Sequence, residues 1–157
     1  MQTTPVPEPA RQPGINGFMI RFLQSPLGAM SGRVVLVRYT GRASGEIRRL
    51  PVNCEPFESG YLIRVGHADQ KRWWRNFREP WPIELVKGRK VIHGSAVAVP
   101  GTTGRGQRIA EEYFMTHRGA ARRAGLPRVW KGEAVTAEQM QAAAATLTFI
   151  VVTPDAK

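Results

Sequence analysis

The stretch at residues 40–52, TGRASGEIRRLPV, decides the fold because it lies between two segments with the composition of β-strands. Before it, residues 34–39, VVLVRY, are rich in β-branched and aromatic side chains, and after it an alternating segment ends near Glu55. Gly41 and Gly45 bracket the bend, and glycine tolerates the positive φ angles and close backbone approach that a tight loop needs. The stretch therefore predicts a β-hairpin.

Three arginines, Arg42, Arg48 and Arg49, lie around this bend. Guanidinium groups beside free backbone amides favour an anionic ligand, whereas the alternative is a solvated turn in a basic protein. Pro51 follows in the second strand and has no N–H to donate to a neighbouring strand. It therefore predicts an edge, a bulge or an opening of the sheet, where a planar ligand has access to the backbone.

The composition is that of one folded domain with a strong positive charge. Of the 157 residues, 42% are hydrophobic and 22% are charged, and 23 Lys and Arg against 12 Asp and Glu give a formal net charge of +11. Such a charge favours nucleic acid, an anionic membrane or a polyanionic small molecule as the partner. Cys54 is the single cysteine, which excludes an internal disulfide. Without an apolar run of membrane-spanning length or a signal-peptide pattern, a cytoplasmic protein is expected.

The order of elements along the chain indicates the fold class. Residues 1–14 hold four prolines and predict a flexible tail before a single domain at residues 15–157. Residues 15–30 have helical apolar spacing, which predicts a helix packed on the core, or alternatively a membrane-surface anchor. The pattern further predicts strands at 61–65, 83–86, 91–99 and 146–152, and helices at 71–77, with Asp69 as N-cap, 107–124 and 137–145. About six strands and two or three helices indicate an α+β fold, a small and partly open antiparallel barrel with helices outside.

A second basic segment follows the third strand at residues 66–76, GHADQKRWWRN. A helix N-terminus presents free amides and the positive end of its dipole, so this segment is suited to binding phosphate or carboxylate. Trp73 is suited to cover an aromatic ring, although Trp73 and Phe77 as plain core residues are the alternative. Convergence of the two basic loops would form one site. No metal centre is expected, because the three histidines lack the spacing of metal ligands.

Two motifs carry a resemblance to a known family. The first is residues 40–45, TGRASG, followed by Arg48 and by residues 50–52, LPV, and the second is residues 73–77, WWRNF. Over residues 18–99 these motifs make the chain similar to the deazaflavin-dependent nitroreductases, oxidoreductases with an FMN-binding-like split β-barrel that use the coenzyme F420. The resemblance implies a split-barrel fold and a deazaflavin bound beside the second strand.

The resemblance also implies roles for individual residues. Arg42 and Arg48 would meet the phosphate or the tail carboxylates of the coenzyme, and Pro51 with Val52 would line its ring. Further cofactor contacts are expected from the end of the third strand and the segment after it, namely Val65, Gly66, His67, Lys71, Trp73 and Asn76.

The chain departs from the family pattern at two places. Ala43 stands where the family commonly has lysine, and the loop at residues 65–68 is shorter than usual. The loss of these cations would weaken binding of the coenzyme tail, indicate a different flavin, or be compensated by Arg49 and Lys71. FMN is the alternative cofactor.

The function expected from the resemblance is hydride transfer from reduced F420 to a small hydrophobic electron acceptor, such as a quinone, a nitro compound or an enone. Trp73 and Tyr113 are the candidate residues on the substrate side. One alternative is a non-catalytic module that binds a flavin-like cofactor or hydrophobic anion, and another is a nucleic-acid-binding domain. No base-reading motif is present, so no specific nucleic acid is expected. A homodimer and a peripheral association with the inner face of the membrane stay open.

Overall fold

The computed structural model describes residues 33–156, so the predicted tail at residues 1–14 and the predicted helix at residues 15–30 lie outside the described residues. Within that part, six strands close into an antiparallel barrel in the order β1, β2, β3, β6, β5, β4. The strands are β1 Val34–Thr40, β2 Ile47–Phe57, β3 Gly60–Val65, β4 Trp81–Lys87, β5 Lys90–Pro100 and β6 Thr148–Pro154. The α-helices are α1 Gly104–Thr116, α2 Arg118–Arg123 and α3 Ala137–Ala145. The α+β barrel predicted from the sequence is confirmed.

The hairpin that opens the barrel is formed by β1 and β2. Their antiparallel register runs from Val34 opposite Asn53 to Thr40 opposite Ile47. The bend is closed by the Gly41 N–H, which donates to the Glu46 carbonyl at 2.8 Å, and Gly45 takes the positive φ angle of 69° that its position between two strands predicts. β1 also pairs with β4, at residues 36–38, which explains why Leu36 and Val37 are fully buried.

The barrel is closed, whereas the sequence predicts a partly open one. Two glycines explain the closure, because both lie where β6 passes close to another strand. A Cβ at Gly60 would lie 2.0 Å from the Val152 carbonyl oxygen, and a Cβ at Gly94 would lie 2.5 Å from the Thr153 carbonyl oxygen. Glycine thus permits β6 to approach both β3 and β5, a contact between segments far apart in the chain.

The described chain forms two compact units. The first unit holds residues 33–63, 79–97 and 151–156, with fully buried side chains that include Leu36, Val37 and Ile63. The second unit holds residues 64–78 and 98–150, and its largest fully buried side chains are Phe77, Phe114 and Phe149. β3, β5 and β6 contribute residues to both units.

The helix predicted at residues 107–124 is two helices, which corrects the sequence prediction. α1 begins earlier, at Gly104, because the Thr103 side chain caps it by accepting from the Gly106 N–H at 3.0 Å. The chain leaves helical geometry at His117, where φ is −115° and ψ is 73°. There the imidazole stacks on the Tyr113 ring, with centroids 3.8 Å apart and planes 6° apart. The buried Ile109 and Phe114 and the exposed arginines agree with the predicted faces.

α3 has the bounds that the sequence predicts, residues 137–145. A capping box begins it, in which the Thr136 hydroxyl accepts from the Gln139 N–H at 3.0 Å and the Gln139 side chain accepts from the Thr136 N–H at 2.9 Å. Ala143 and Ala144 are buried, and α3 packs against α1. A Cβ at Gly101 would lie 1.8 Å from the Ala144 carbonyl oxygen, so this packing requires glycine at position 101.

Candidate functional site

Arg42 connects the hairpin bend to the chain that enters β4. Its Nη2 donates to the Glu79 carbonyl at 3.0 Å and to the Pro80 carbonyl at 3.2 Å, and its guanidinium carbon lies 4.2 Å from the centre of the Trp81 ring. The Trp81 indole N–H donates in turn to the Thr40 carbonyl at 2.7 Å. Arg42 is thus engaged by its own chain, and its expected contact with a coenzyme anion stays a prediction.

The other arginines of the hairpin differ in their surroundings. Arg48 is half-buried and forms an ion pair with Glu46 at 3.1 Å. Arg49 is exposed and lies opposite Arg38 in the register of β1 and β2, and the charge of Arg38 is already paired with Glu84. Ala43, in the bend, is exposed.

Pro51 lies in the part of β2 that pairs with β1 and has no described partner in β3. The Cys54 N–H donates to the Arg33 carbonyl at 2.8 Å, which fixes the alternation of the ladder between β1 and β2. By this alternation Pro51, opposite Leu36, occupies a pair that exchanges no hydrogen bonds, so its missing N–H costs this ladder nothing. The register between β2 and β3 reaches only from Phe57 back to Cys54. The described ladder between β2 and β3 therefore stops three residues short of Pro51.

Within the described residues, the open edge of β2 consists of the backbone groups at residues 47–52 that point away from β1. By the same alternation these include the N–H group of Arg49 and the carbonyl groups of Arg49 and Pro51. Pro51 and Val52 are half-buried, which gives the edge an apolar border. An edge of alternating donors and acceptors matches a planar heterocycle that carries ring N–H and carbonyl groups.

The segment after β3 differs from the prediction. Asp69 is not an N-cap: it lies inside a 3₁₀ turn, Ala68–Gln70, which follows His67 in a left-handed conformation with φ of 52°. The predicted helix at residues 71–77 is a 3₁₀ turn, Trp73–Phe77, without a side-chain cap. One 3₁₀ turn has few aligned peptide dipoles, so this segment lacks the anion-binding dipole of an α-helix N-terminus.

The predicted contacts of this segment have varied exposure. Val65 is buried at 1% exposure, Gly66 is half-buried, and His67 and Lys71 are exposed. Their expected contact with a cofactor stays a prediction.

Trp73 and Asn76 are joined by a hydrogen bond within the 3₁₀ turn. The Asn76 side chain donates to the Trp73 carbonyl at 2.8 Å, and the Trp73 ring meets the Phe77 ring edge to face with centroids 6.2 Å apart. Phe77 is fully buried, which supports the core alternative for this residue, while Trp73 and Asn76 are half-buried.

Tyr113, the second residue expected on the substrate side, is half-buried between aromatic partners. Besides the stacked ring of His117, the Phe149 ring contacts it edge to face with centroids 5.5 Å apart. Tyr113 and the residues from Val65 to Asn76 belong to the second unit, whereas the hairpin residues from Arg42 to Val52 belong to the first. The convergence of the two loops into one cleft stays a prediction.

A groove in the first unit contains functional groups that the sequence analysis missed. It has a volume of about 200 Å³ and is lined by Arg38, Tyr39, Thr40, Ile47, Pro82, Ile83, Glu84, His93, Gly94 and Asp155. Arg38, Glu84 and His93 lie opposite one another on three neighbouring strands. Glu84 forms an ion pair with Arg38, and its other carboxylate oxygen lies 3.4 Å from the His93 Nδ1 atom. In the sequence, the only sign of this groove was that Arg38 and Glu84 have opposite charges. That sign could be used only once the strand register that places them side by side was known.

Comparison with known proteins yields a structural likeness alone. No family model matches the chain, and no curated protein matches it in sequence. Among solved structures, the chain is similar to the crystal structure of HutZ, the heme storage protein from Vibrio cholerae. The identity is 9%, the match covers 83% of this chain and 87% of that chain, and the TM-score is 0.49. The likeness to the deazaflavin-dependent nitroreductases therefore rests on the two sequence motifs and stays a hypothesis.

Three further observations concern reactive groups and the membrane. Cys54 is buried, and burial raises the pKa of its thiol from 9.0 to about 12, which keeps it protonated and unreactive. Among residues 33–156, no three His, Cys, Asp or Glu side chains are grouped so that they could hold a metal ion. In the same part of the chain, every helix is too short or too polar to cross a bilayer.

Proposed function

We propose that this protein binds an anionic flavin-type cofactor, F420 or FMN, along the open edge of β2. The observation that carries the proposal is the β2–β3 ladder that stops short of Pro51, which leaves the backbone of residues 47–52 without a described β3 partner. The pyrimidine edge of a flavin or deazaflavin presents carbonyl and N–H groups in the plane of the ring. Hydrogen bonds with the N–H and carbonyl groups of Arg49 would hold that edge as a neighbouring strand would.

The charge of the site fits an anion. Arg49 is exposed, lies opposite Arg38 and has no ion-pair partner among the described residues, so it is the hairpin cation best placed to meet a phosphate or carboxylate. Arg42, which contacts the Trp81 ring, and Arg48, which is paired with Glu46, would contribute to the positive potential of the site. Pro51 and Val52 would contact the ring through their apolar surface.

Cofactor binding is the first part of the proposal, because it needs only the open edge of β2 and the exposed Arg49 side chain beside it. We extend it to an oxidoreductase on the strength of the motif resemblance. A reduced deazaflavin supplies a hydride, which carries two electrons, and the acceptor takes a further proton from water. The protein would orient the cofactor on β2, exclude water and position a quinone, nitro compound or enone, with Trp73 and Tyr113 as candidate contacts.

The test is a titration of the purified full-length protein with F420 and with FMN, followed by quenching of cofactor fluorescence. We expect saturable binding of at least one cofactor and a weaker affinity in Arg49→Gln. Arg89→Gln is the matched control, because Arg89 is an exposed arginine in the turn between β4 and β5. Equal losses in the two variants, or no quenching by either cofactor, would contradict the proposal.

A second experiment separates the binding module from the enzyme. The protein loaded with reduced F420 is mixed with a quinone or a nitro compound, and cofactor oxidation is followed by absorbance. Oxidation faster than in solution without protein supports an oxidoreductase, whereas binding without acceleration leaves the binding module as the function.

A further inference from the structure

Three arginines of the second unit form a row. The Arg75 N–H donates to the Arg72 carbonyl at 3.1 Å, and the Arg78 N–H donates to the Arg75 carbonyl at 3.4 Å. Residues three apart lie one above the other in 3₁₀ geometry. The three side chains therefore leave the same edge of the Trp73–Phe77 turn, spaced about 6 Å apart, because a 3₁₀ turn rises about 2 Å per residue.

Trp74 orders this arginine row. Its indole N–H donates to the Ala68 carbonyl at 2.8 Å, which fixes the ring. The guanidinium carbons of Arg75 and Arg78 lie 5.9 and 5.6 Å from the centre of that ring. A guanidinium held near an aromatic face loses part of its freedom but keeps N–H groups for a ligand. Two members of the row are therefore partly ordered before any ligand arrives.

The row is exposed and carries charge of one sign. Arg72, Arg75 and Arg78 are all exposed, as is the neighbouring Lys71, and no acidic residue occurs between Gln70 and Arg78. None of the three arginines forms an ion pair with a residue in the described range 33–156. The row thus presents three exposed cations whose backbone positions are about 6 Å apart along one edge of the turn.

We propose that the arginine row binds the phosphates of a single-stranded nucleic acid without reading its bases. A strand carries one anion per nucleotide, and the spacing of the row is close to the distance between successive phosphates of an extended strand. Guanidinium groups bind phosphate oxygens in pairs. Binding through phosphates does not depend on base sequence, which agrees with a chain that has no base-reading motif. The arginine row is also a different surface from the proposed cofactor site on β2.

An anionic membrane fits the same surface less well. Binding to a bilayer gains from large apolar side chains that enter the lipid, and none of those exposed in the described chain, Ile47, Val91 and Met115, lies within residues 64–78. A lipid surface also has no fixed spacing of phosphates, so the regular row would give it no advantage.

The test is the fluorescence anisotropy of a labelled oligo(dT) strand of about 20 nucleotides mixed with the full-length protein. Three phosphate contacts predict that affinity falls about 20-fold between about 50 and 200 mM salt. Arg75→Ala with Arg78→Ala should weaken binding and make it less sensitive to salt. Arg122→Ala with Arg123→Ala is the matched control, because these two exposed arginines of α2 remove the same charge from the same unit.

A second pair of variants tests the geometry. Arg75→Lys with Arg78→Lys keeps the charge and the fold but removes the planar groups, and we expect an affinity between wild type and the alanine pair. Circular dichroism spectra establish that each variant is folded. Equal losses in the Arg75/Arg78 and Arg122/Arg123 alanine pairs, or tighter binding to phosphatidylserine vesicles than to the oligonucleotide, would overturn the proposal.

Discussion

Arg42 and Trp81 join the hairpin bend to the start of β4, with the guanidinium carbon 4.2 Å from the centre of the indole ring. Hydrogen bonds extend this contact at both ends, from Arg42 to the Glu79 carbonyl and from Trp81 to the Thr40 carbonyl. The bend that the sequence marks as an anion site is therefore held in place by one of its own arginines. The exposed side chain of Arg49 provides a second cation beside this bend.

The contact between Arg42 and Trp81 should be measurable as a coupling energy. In a double-mutant cycle with Arg42→Ala and Trp81→Leu, we expect the free energies of unfolding to be non-additive by about 0.5–1 kcal/mol, the size of an exposed cation–π contact. Urea unfolding of the wild type and the three variants provides the measurement. Additive effects would mean that the two side chains do not stabilise each other.

Gly101 should tolerate no side chain. Gly101→Ala places a Cβ 1.8 Å from the Ala144 carbonyl oxygen, and relief of that clash requires a backbone shift, so we expect a loss of about 1–3 kcal/mol in the free energy of unfolding. Gly119→Ala is the control, because it lies within α2 and meets only the end of the flexible Arg123 side chain at 3.4 Å. Alanine there should stabilise the helix by about 0.5–1 kcal/mol. Equal stability of the two variants would refute the close packing.

The Cys54 thiol should make stability depend on pH in the alkaline range. Its pKa is raised from 9.0 to about 12 by burial, so the unfolded chain loses this proton at a lower pH than the folded chain. Its contribution to stability is complete below pH 9 and is lost as the pH rises toward 12. Cys54→Ala should flatten this part of the stability profile. Rapid reaction of the native thiol with a disulfide reagent at pH 8 would contradict the assigned burial.

The capping box of α3 should contribute to stability through two hydrogen bonds. Thr136→Ala removes the hydroxyl that accepts from the Gln139 N–H, and we expect a loss of about 1 kcal/mol in the free energy of unfolding. Thr136→Ser keeps the acceptor and should retain most of the stability. Thermal unfolding of the two variants distinguishes them, and equal melting temperatures would show that the cap contributes nothing.

Features set by local chemistry were predictable from the sequence. The hairpin of β1 and β2 follows from β-branched strands around Gly41 and Gly45, and α3 follows from its alanine-rich composition. The turn between β4 and β5 needs a positive φ angle, which Gly88 supplies at 62°. In each of these cases the residues that determine the structure are close neighbours in the chain.

Features set by distant contacts were not predictable in the same way. Closure of the barrel depends on the approach of β6 to Gly60 and Gly94, which no local pattern encodes. In the candidate site the sequence predicts an edge, a bulge or an opening at Pro51, and the described β2–β3 register stops short of it, but the engagement of Arg42 depends on Trp81, 39 residues away.

The most direct test of the central claim is amide hydrogen exchange, measured by NMR with and without F420 or FMN. The N–H groups of Leu50 and Val52 face β1 and should exchange slowly in both states, whereas that of Arg49 should exchange fast in the free protein. We predict that the bound cofactor slows exchange at Arg49. Slow exchange at this amide in the free protein, or no change on binding, would contradict the account.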